Sequence, residues 1–149
     1  MKINAFADVS LRALLVLAAA PDGVLVTTQS IADAVGTPYN HVSKAMAKLR
    51  TLGMIDVERG RNGGSRLSSA GRTATVGQLL RQLDTRLDPA DCVATGRTCP
   101  LITECRLRAA LNRAREAFYR ELDGIEIASL PTARQMAPVF DAIGLRPGL

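Results

Sequence analysis

The sequence predicts a mainly α-helical protein with one small β-hairpin, and three observations predict it. Two short helical patterns meet at Gly36, an alternating stretch from Met54 turns through a glycine-rich tip at Gly60 to Gly64, and a long amphipathic pattern begins near Glu104. With 149 residues the chain suits one compact domain with an appendage, on a prior of roughly 100 to 200 residues per domain.

The helix pair comes first in the argument because its grammar is the most complete. "TTQSIADAVG" offers Thr27 or Thr28 as N-cap, Ile31, Ala34 and Val35 on one face, and Gly36 where a helix-ending glycine belongs. Thr37 then supplies a second N-cap with Pro38 at the first helical position, and Val42, Ala45, Leu49 and Leu52 follow at spacings of 3, 4 and 3. Two helices joined by a tight glycine turn form a helix-turn-helix pattern, whose second helix lies in the DNA major groove. A projection at about 100° per residue places Asn40, Ser43, Lys44 and Thr51 opposite the apolar stripe, with Tyr39 and His41 near the start of the helix. Asn pairs with adenine, Ser adapts to bases or phosphates, and Lys reaches guanine or phosphate.

"MIDVERGRNGGSRLSSAG" alternates through Ile55 and Val57, turns at the glycines and resumes at Leu67, which reads as a two-stranded wing. Arg59, Arg61 and Asn62 at its tip suit a minor groove or phosphates, while Gly60, Gly63 and Gly64 supply positive backbone angles and close approach. Charge supports a polyanionic partner. The formal net charge is +5, and between Asn40 and Arg66 six cations (Lys44, Lys48, Arg50, Arg59, Arg61, Arg66) face only Asp56 and Glu58. Residues 1–83 are therefore expected to form a winged helix-turn-helix DNA-binding domain, with Thr28, Pro38, Tyr39, Asn40, His41, Ser43, Lys44, Lys48, Arg59, Arg61, Asn62, Gly63 and Gly64 on the DNA side.

Helices flank this unit. "INAFADVSLRALLVLAA" sets Ile3, Phe6, Leu11, Leu14, Leu15 and Ala18 on one expected apolar side, and "TVGQLLRQLD" adds Val76, Leu79, Leu80 and Leu83. Asp8 and Arg12, four apart on the first helix, can form an exposed pair worth about a few tenths of a kcal/mol. From Glu104 to Leu122 the residues Leu107, Leu111, Ala114, Phe118 and Leu122 recur at 4, 3, 4 and 4. The stripe could fold back on its own domain, but residues 104–130 are rather expected to pair two copies across a two-fold axis, which matches a palindromic operator. The segment 131–149, with Pro138 and Pro147, is expected to be a loosely ordered tail.

The three cysteines, Cys92, Cys99 and Cys105, all fall within residues 84–105, in a loop holding Gly96 and Pro100 just ahead of the long helix. An odd count cannot all pair as disulfides, and the chain opens without a basic-then-apolar secretory signal, so a cytoplasmic protein with reduced thiols is expected. No apolar run is long enough to span a membrane. Soft sulfur ligands point to zinc or to an iron-sulfur cluster; zinc is the weaker candidate because the usual C-x2-4-C pairs are missing. Three unrelated thiols are the remaining reading. Enzymatic catalysis has no motif here: there is no phosphate-binding glycine loop, and the single histidine, His41, lies on the DNA-facing helix.

Taken together, the "FADVSLRALLVLA" helix, the "IADAVGTPYNHVSKAMAKLRTLGMI" helix pair, the "RGRNGGSRLS" wing and the clustered cysteines resemble the NsrR and IscR family of iron-sulfur winged-helix regulators, over roughly residues 1–122. The likeness is greatest to the nitric-oxide-sensing branch. That resemblance implies a 4Fe-4S cluster held by Cys92, Cys99 and Cys105 in a loop spanning 84–103 and the start of the next helix. The fourth ligand would be Asp8 from the partner subunit, with Arg12 placed to orient its carboxylate. It further implies a homodimeric repressor with nitric oxide as effector. The family's 2Fe-2S regulators use a histidine shortly after the third cysteine, where this chain has Leu107 and Arg108. A second departure is the spacing from Cys92 to Cys99, with six intervening residues in place of five. Two alternatives stand beside this one: a redox-sensing 2Fe-2S regulator, and a cluster-free repressor that senses oxidants through its thiols. An electron-transfer protein is the rival outside gene regulation.

Overall fold

The structure, a computed structural model, describes residues 3–84, 90, 92–94 and 97–149. Its elements run α1 (Ala5–Ala19), α2 (Thr28–Val35), α3 (Tyr39–Thr51), β1 (Ile55–Glu58), β2 (Gly64–Leu67), α4 (Ser69–Thr73), α5 (Val76–Leu83), β3 (Val93–Ala94), β4 (Arg97–Thr98), α6 (Arg106–Leu122) and α7 (Ala133–Ala142), with a 3-10 turn at Ile127–Ser129. The architecture is mainly helical with an antiparallel wing, in agreement with the fold class read from the sequence.

Local chemistry sets the element ends. Thr27 accepts from the Ser30 amide to start α2, and Gly36 closes it in the left-handed region at φ 62°, where a Cβ would be strained. α3 begins one residue later than the sequence suggests. Pro38, expected inside the helix, is its extended N-cap at ψ 137°, and its carbonyl accepts from the His41 and Val42 amides. Thr37, expected as the cap, instead donates its hydroxyl to the Val35 carbonyl. On α3 the buried residues are Val42, Ala45, Met46 and Leu49.

In the wing, Ile55 pairs with Leu67 and Glu58 with Gly64. Val26 joins as a third, single-bridge strand through two backbone hydrogen bonds with Ser65, at 3.0 and 2.9 Å. That contact explains Gly64, because a Cβ there would press on Leu25 and Val26. Gly60 takes the positive angle, φ 118°, and Gly63 the close approach to Glu58 and Arg59.

α1 departs from the expected stripe. Of Ile3, Phe6, Leu11, Leu14, Leu15 and Ala18, only Leu14 is fully interior; Ala7, Val9, Ser10, Ala13, Val16, Leu17 and Ala19 are buried instead, and Phe6 is 37% exposed. The physical reason is its central position: α1 touches α2, α3, β2, α5, α7 and the 3-10 turn. Small residues and a serine whose hydroxyl returns to the Phe6 carbonyl let neighbours approach from several sides.

The C-terminal segment is also a correction. Residues 131–149, expected to be loosely ordered, carry α7, whose Met136 and Phe140 are buried, and the Gly148 amide donates to the Ala19 carbonyl at 2.8 Å. Met136, Phe140 and the half-buried Val139 and Ile143 keep helical spacing, so the apolar face forms despite Pro138. Backbone bonds from Val76 to Ile125 and from Ile127 to Ala74 fasten this half to the winged head. The core therefore crosses the expected boundary at residue 83, since Ile127, Met136 and Phe140 complete it.

Candidate nucleic-acid interface and cysteine site

α3 is held by its buried stripe, which leaves its other face to solvent. Pro38, Tyr39, Asn40, His41, Lys44 and Lys48 are exposed; Ser43 on α3 and Thr28 at the start of α2 are half-buried. At the wing tip Arg59, Arg61 and Asn62 are exposed, beside the half-buried Gly63 and Gly64. Arg66 is not available in the same way. It pairs across the wing with Glu58 and Asp56, so the usable cations of the wing are Arg59 and Arg61. His41 and Lys44 also line a cavity of about 250 Å³ with Ala5, Phe6 and Val9, which puts the start of α1 directly beside the recognition helix.

Asp8 lies on that same part of α1. Arg12 holds both of its carboxylate oxygens, Nε to Oδ1 at 3.1 Å and Nη2 to Oδ2 at 2.8 Å, with both side chains open to solvent.

The cysteine segment has its own geometry. β3 and β4 pair antiparallel with Val93 opposite Thr98, and the Cys99 amide donates to the Cys92 carbonyl at 2.9 Å. Cys92 and Cys99 thus lie across from each other just beyond the two paired rungs, joined by this one backbone bond. Cys105 is the N-cap of α6, its sulfur accepting from the Arg108 amide at 3.4 Å. Glu104 enters that cap at φ 56°, a left-handed conformation that costs a non-glycine residue about 1 kcal/mol. All three cysteines are half-buried. Gly96, singled out in this loop by the sequence, lies outside the described residues.

Among the described residues of one chain, no group of three or more His, Cys, Asp or Glu side chains converges as a metal site. Cys105 and Asp8 are not brought to the Cys92 and Cys99 rung. The donor set nevertheless suits a soft metal centre: three sulfurs within one loop, one already receiving a backbone N–H, which is how iron-sulfur thiolates are commonly supported. A cavity of about 420 Å³ opens beside Cys105, lined in part by Ile102, Glu104 and Arg108.

Sequence reasoning missed the fastening between α5 and α6. Arg81 bonds both oxygens of Asp123 and also Glu116, and its guanidinium lies 5.2 Å from the Tyr119 ring centre. Tyr119 in turn donates to Asp84 at the end of α5. These bonds hold the Arg81 guanidinium above its ordinary pKa, through Asp123 first and Glu116 second, and hold the Asp123 carboxyl below its own. Asp123 lies 42 positions from Arg81, so no local pattern announces the pair.

A two-helix reading unit with a basic wing, carried on a helical body, defines the class of winged helix-turn-helix regulators. The Rrf2 family profile, described as "Iron-dependent Transcriptional regulator", matches residues 3–133, and the chain belongs to that family. It is 40% identical over 148 residues to the HTH-type transcriptional repressor NsrR of Streptomyces coelicolor, covering 99% of each chain. Two solved structures share the fold. T. potens IscR aligns with TM-score 0.67 at 21% identity over 87% of this chain and 85% of that one. CymR (YrzC), the global cysteine regulator of B. subtilis, aligns with TM-score 0.65 at 23% identity over 87% and 95%. No helix among the described residues is long and apolar enough to cross a membrane.

Proposed function

We propose that this protein is a cytoplasmic, homodimeric transcriptional repressor whose affinity for a palindromic operator is set by a 4Fe-4S cluster that reacts with nitric oxide. The observation that carries the reading is that the segment between α5 and α6 holds three cysteines while α1 carries an arginine-held aspartate, in a chain 40% identical to a repressor named NsrR.

Asn40, Ser43 and Lys44 read base edges or phosphates from the major groove, and Arg59, Arg61 and Asn62 hold the adjacent backbone or minor groove. Tyr39, His41 and Lys48 flank them, with Thr28 and Pro38 at the helix starts. Cys92, Cys99 and Cys105 would hold the cluster from one subunit and Asp8 from the other. When bound, such a cluster would supply iron able to react with nitric oxide. Arg12 orients the Asp8 carboxylate through its bonds to both oxygens. Asp8 is on α1, whose Ala5, Phe6 and Val9 line a cavity together with His41 and Lys44, so a pull on Asp8 would be carried through α1 toward α3. α6 supplies the two-fold contact: Leu107 is 67% exposed and Ala114 is exposed, with Leu111 half-buried between them, while Phe118 further along packs against the chain's own core.

The test is a nitric oxide titration of protein purified without oxygen, following visible absorbance and operator binding in the same samples. Operator release in step with cluster loss supports the proposal; binding that ignores cluster loss contradicts it.

A further inference from the structure

We infer that Cys92 and Cys99 are built to close a cross-strand disulfide when no cluster is bound, and that this bond blocks cluster assembly until a dithiol reduces it. The second half of the inference rests on the function proposed above; the first half does not.

The placement follows from register. Val93 faces Thr98 and Ala94 faces Arg97, so the rung before them sets Cys92 opposite Cys99, and the Cys99 amide bond to the Cys92 carbonyl, 2.9 Å long, marks that rung. Residues directly opposite in an antiparallel ladder point to the same face. A single backbone bond joins the two, since the Cys92 amide donates to the Ala90 carbonyl at 2.7 Å and the Cys99 carbonyl accepts from the Ile102 amide at 3.1 Å. Opposed residues of an antiparallel pair have Cα atoms roughly 4.5–5.5 Å apart, within the roughly 4.4–6.8 Å that a disulfide spans. The six intervening residues are what make this possible. A five-residue spacing would offset the register by one, and a one-residue slip sends a side chain to the opposite face. Cys105 is instead the cap of α6, its sulfur accepting from the Arg108 amide, and the three cysteines do not converge on one point among the described residues. The hairpin register thus pairs Cys92 with Cys99 and leaves Cys105 as the odd thiol.

The chemistry balances with hydrogen peroxide as oxidant. One thiolate attacks the peroxide oxygen, the O–O bond breaks, and a sulfenic acid forms with release of water; the second thiol displaces the hydroxyl as a second water and the S–S bond forms. Two thiols lose two protons and two electrons, and the peroxide gains them. With both sulfurs tied to each other, two of the three proposed thiolate ligands are lost at once.

The experiment uses the full chain, freed of metal and reduced, then given hydrogen peroxide in stoichiometric amount. Trypsin separates Cys92, in 87–97, from Cys99 and Cys105, in 98–106, so a Cys92–Cys99 bond joins the two peptides, and fragmentation between Cys99 and Cys105 locates it. The expected result is loss of two hydrogens, a joined Cys92–Cys99 peptide, full retention of this product in Cys105→Ser, and its absence in Cys99→Ser, with circular dichroism verifying that both variants fold. A bond to Cys105, or only sulfenic and sulfinic acids, overturns the assignment. Ferrous iron and sulfide are then offered to the oxidised and reduced chains, and bound iron is counted. Uptake only after dithiothreitol supports the block, and equal uptake refutes it. No uptake by the reduced chain would sink the cluster proposal, and with it the block, while leaving the disulfide result readable.

Discussion

Arg81 on α5 grips Asp123 at the end of α6 through two parallel hydrogen bonds, and this pair joins the winged head to the long helix. Its electrostatics set an acid dependence. Asp123 titrates below its ordinary range in the folded chain, so its contribution to stability is complete above that range, near pH 4, and is lost as pH falls through it toward the lowered value. Arg81 is shifted upward and stays charged at every attainable pH, so it adds no alkaline limb. Asp123→Asn should therefore lower the melting temperature at neutral pH and flatten its fall below about pH 4 relative to the parent. Melting curves across an acid series check this; an unchanged acid limb would show that the pair is idle.

Gly77 sits under the same clasp. A Cβ there would run into the Asp123 side chain, the Tyr119 carbonyl and the Asp123 amide, two of which are backbone. Gly77→Ala should destabilise the chain by about 1–3 kcal/mol, the usual cost of overpacking, even though alanine favours helices. Urea unfolding measures it, and a neutral or stabilising result would mean that α5 and α6 are not in contact as described.

On the DNA side, charge and base contacts separate experimentally. Arg61→Ala should weaken operator and non-specific DNA alike and reduce the slope of log affinity against log salt by about one. Asn40→Ala should instead cost about 1–3 kcal/mol on the operator and relax preference at a single position. Fluorescence anisotropy over a salt series, with operator and scrambled duplexes, tells the two apart.

The α6 stripe gives a fourth expectation. Leu107→Glu places a charge where a partner helix is proposed to pack, so sedimentation should report a monomer with operator affinity reduced by more than tenfold, since paired half-sites are then lost. A dimer that survives both Leu107→Glu and Leu111→Glu would move the two-fold contact off this helix.

The parts of this fold that follow local rules were legible in the chain. Gly36 ends α2 because a left-handed residue is needed there, and the wing turns at Gly60 for the same reason. Long-range choices were not legible. The buried face of α1 is set by neighbours on several sides, so the stripe through Leu11 and Leu15 misled, and Pro138 hid the apolar spacing of Met136 and Phe140 in α7. For the site, the sequence located the cysteines, but only the β3–β4 register sets Cys92 across from Cys99. The Arg81–Asp123 clasp depends on how α5 and α6 pack, which no window of sequence contains.

The central claim is that this chain is a regulator built around a cysteine-held iron-sulfur centre. Its most direct test is a non-denaturing mass spectrum of the full chain purified without oxygen, beside Cys99→Ala and Asp8→Ala. The account expects a dimer carrying one 4Fe-4S unit per subunit, no cluster in Cys99→Ala, and a less stable cluster in Asp8→Ala. Zinc in its place, or no metal in carefully reconstituted protein, would contradict it and leave a winged-helix regulator with another means of control.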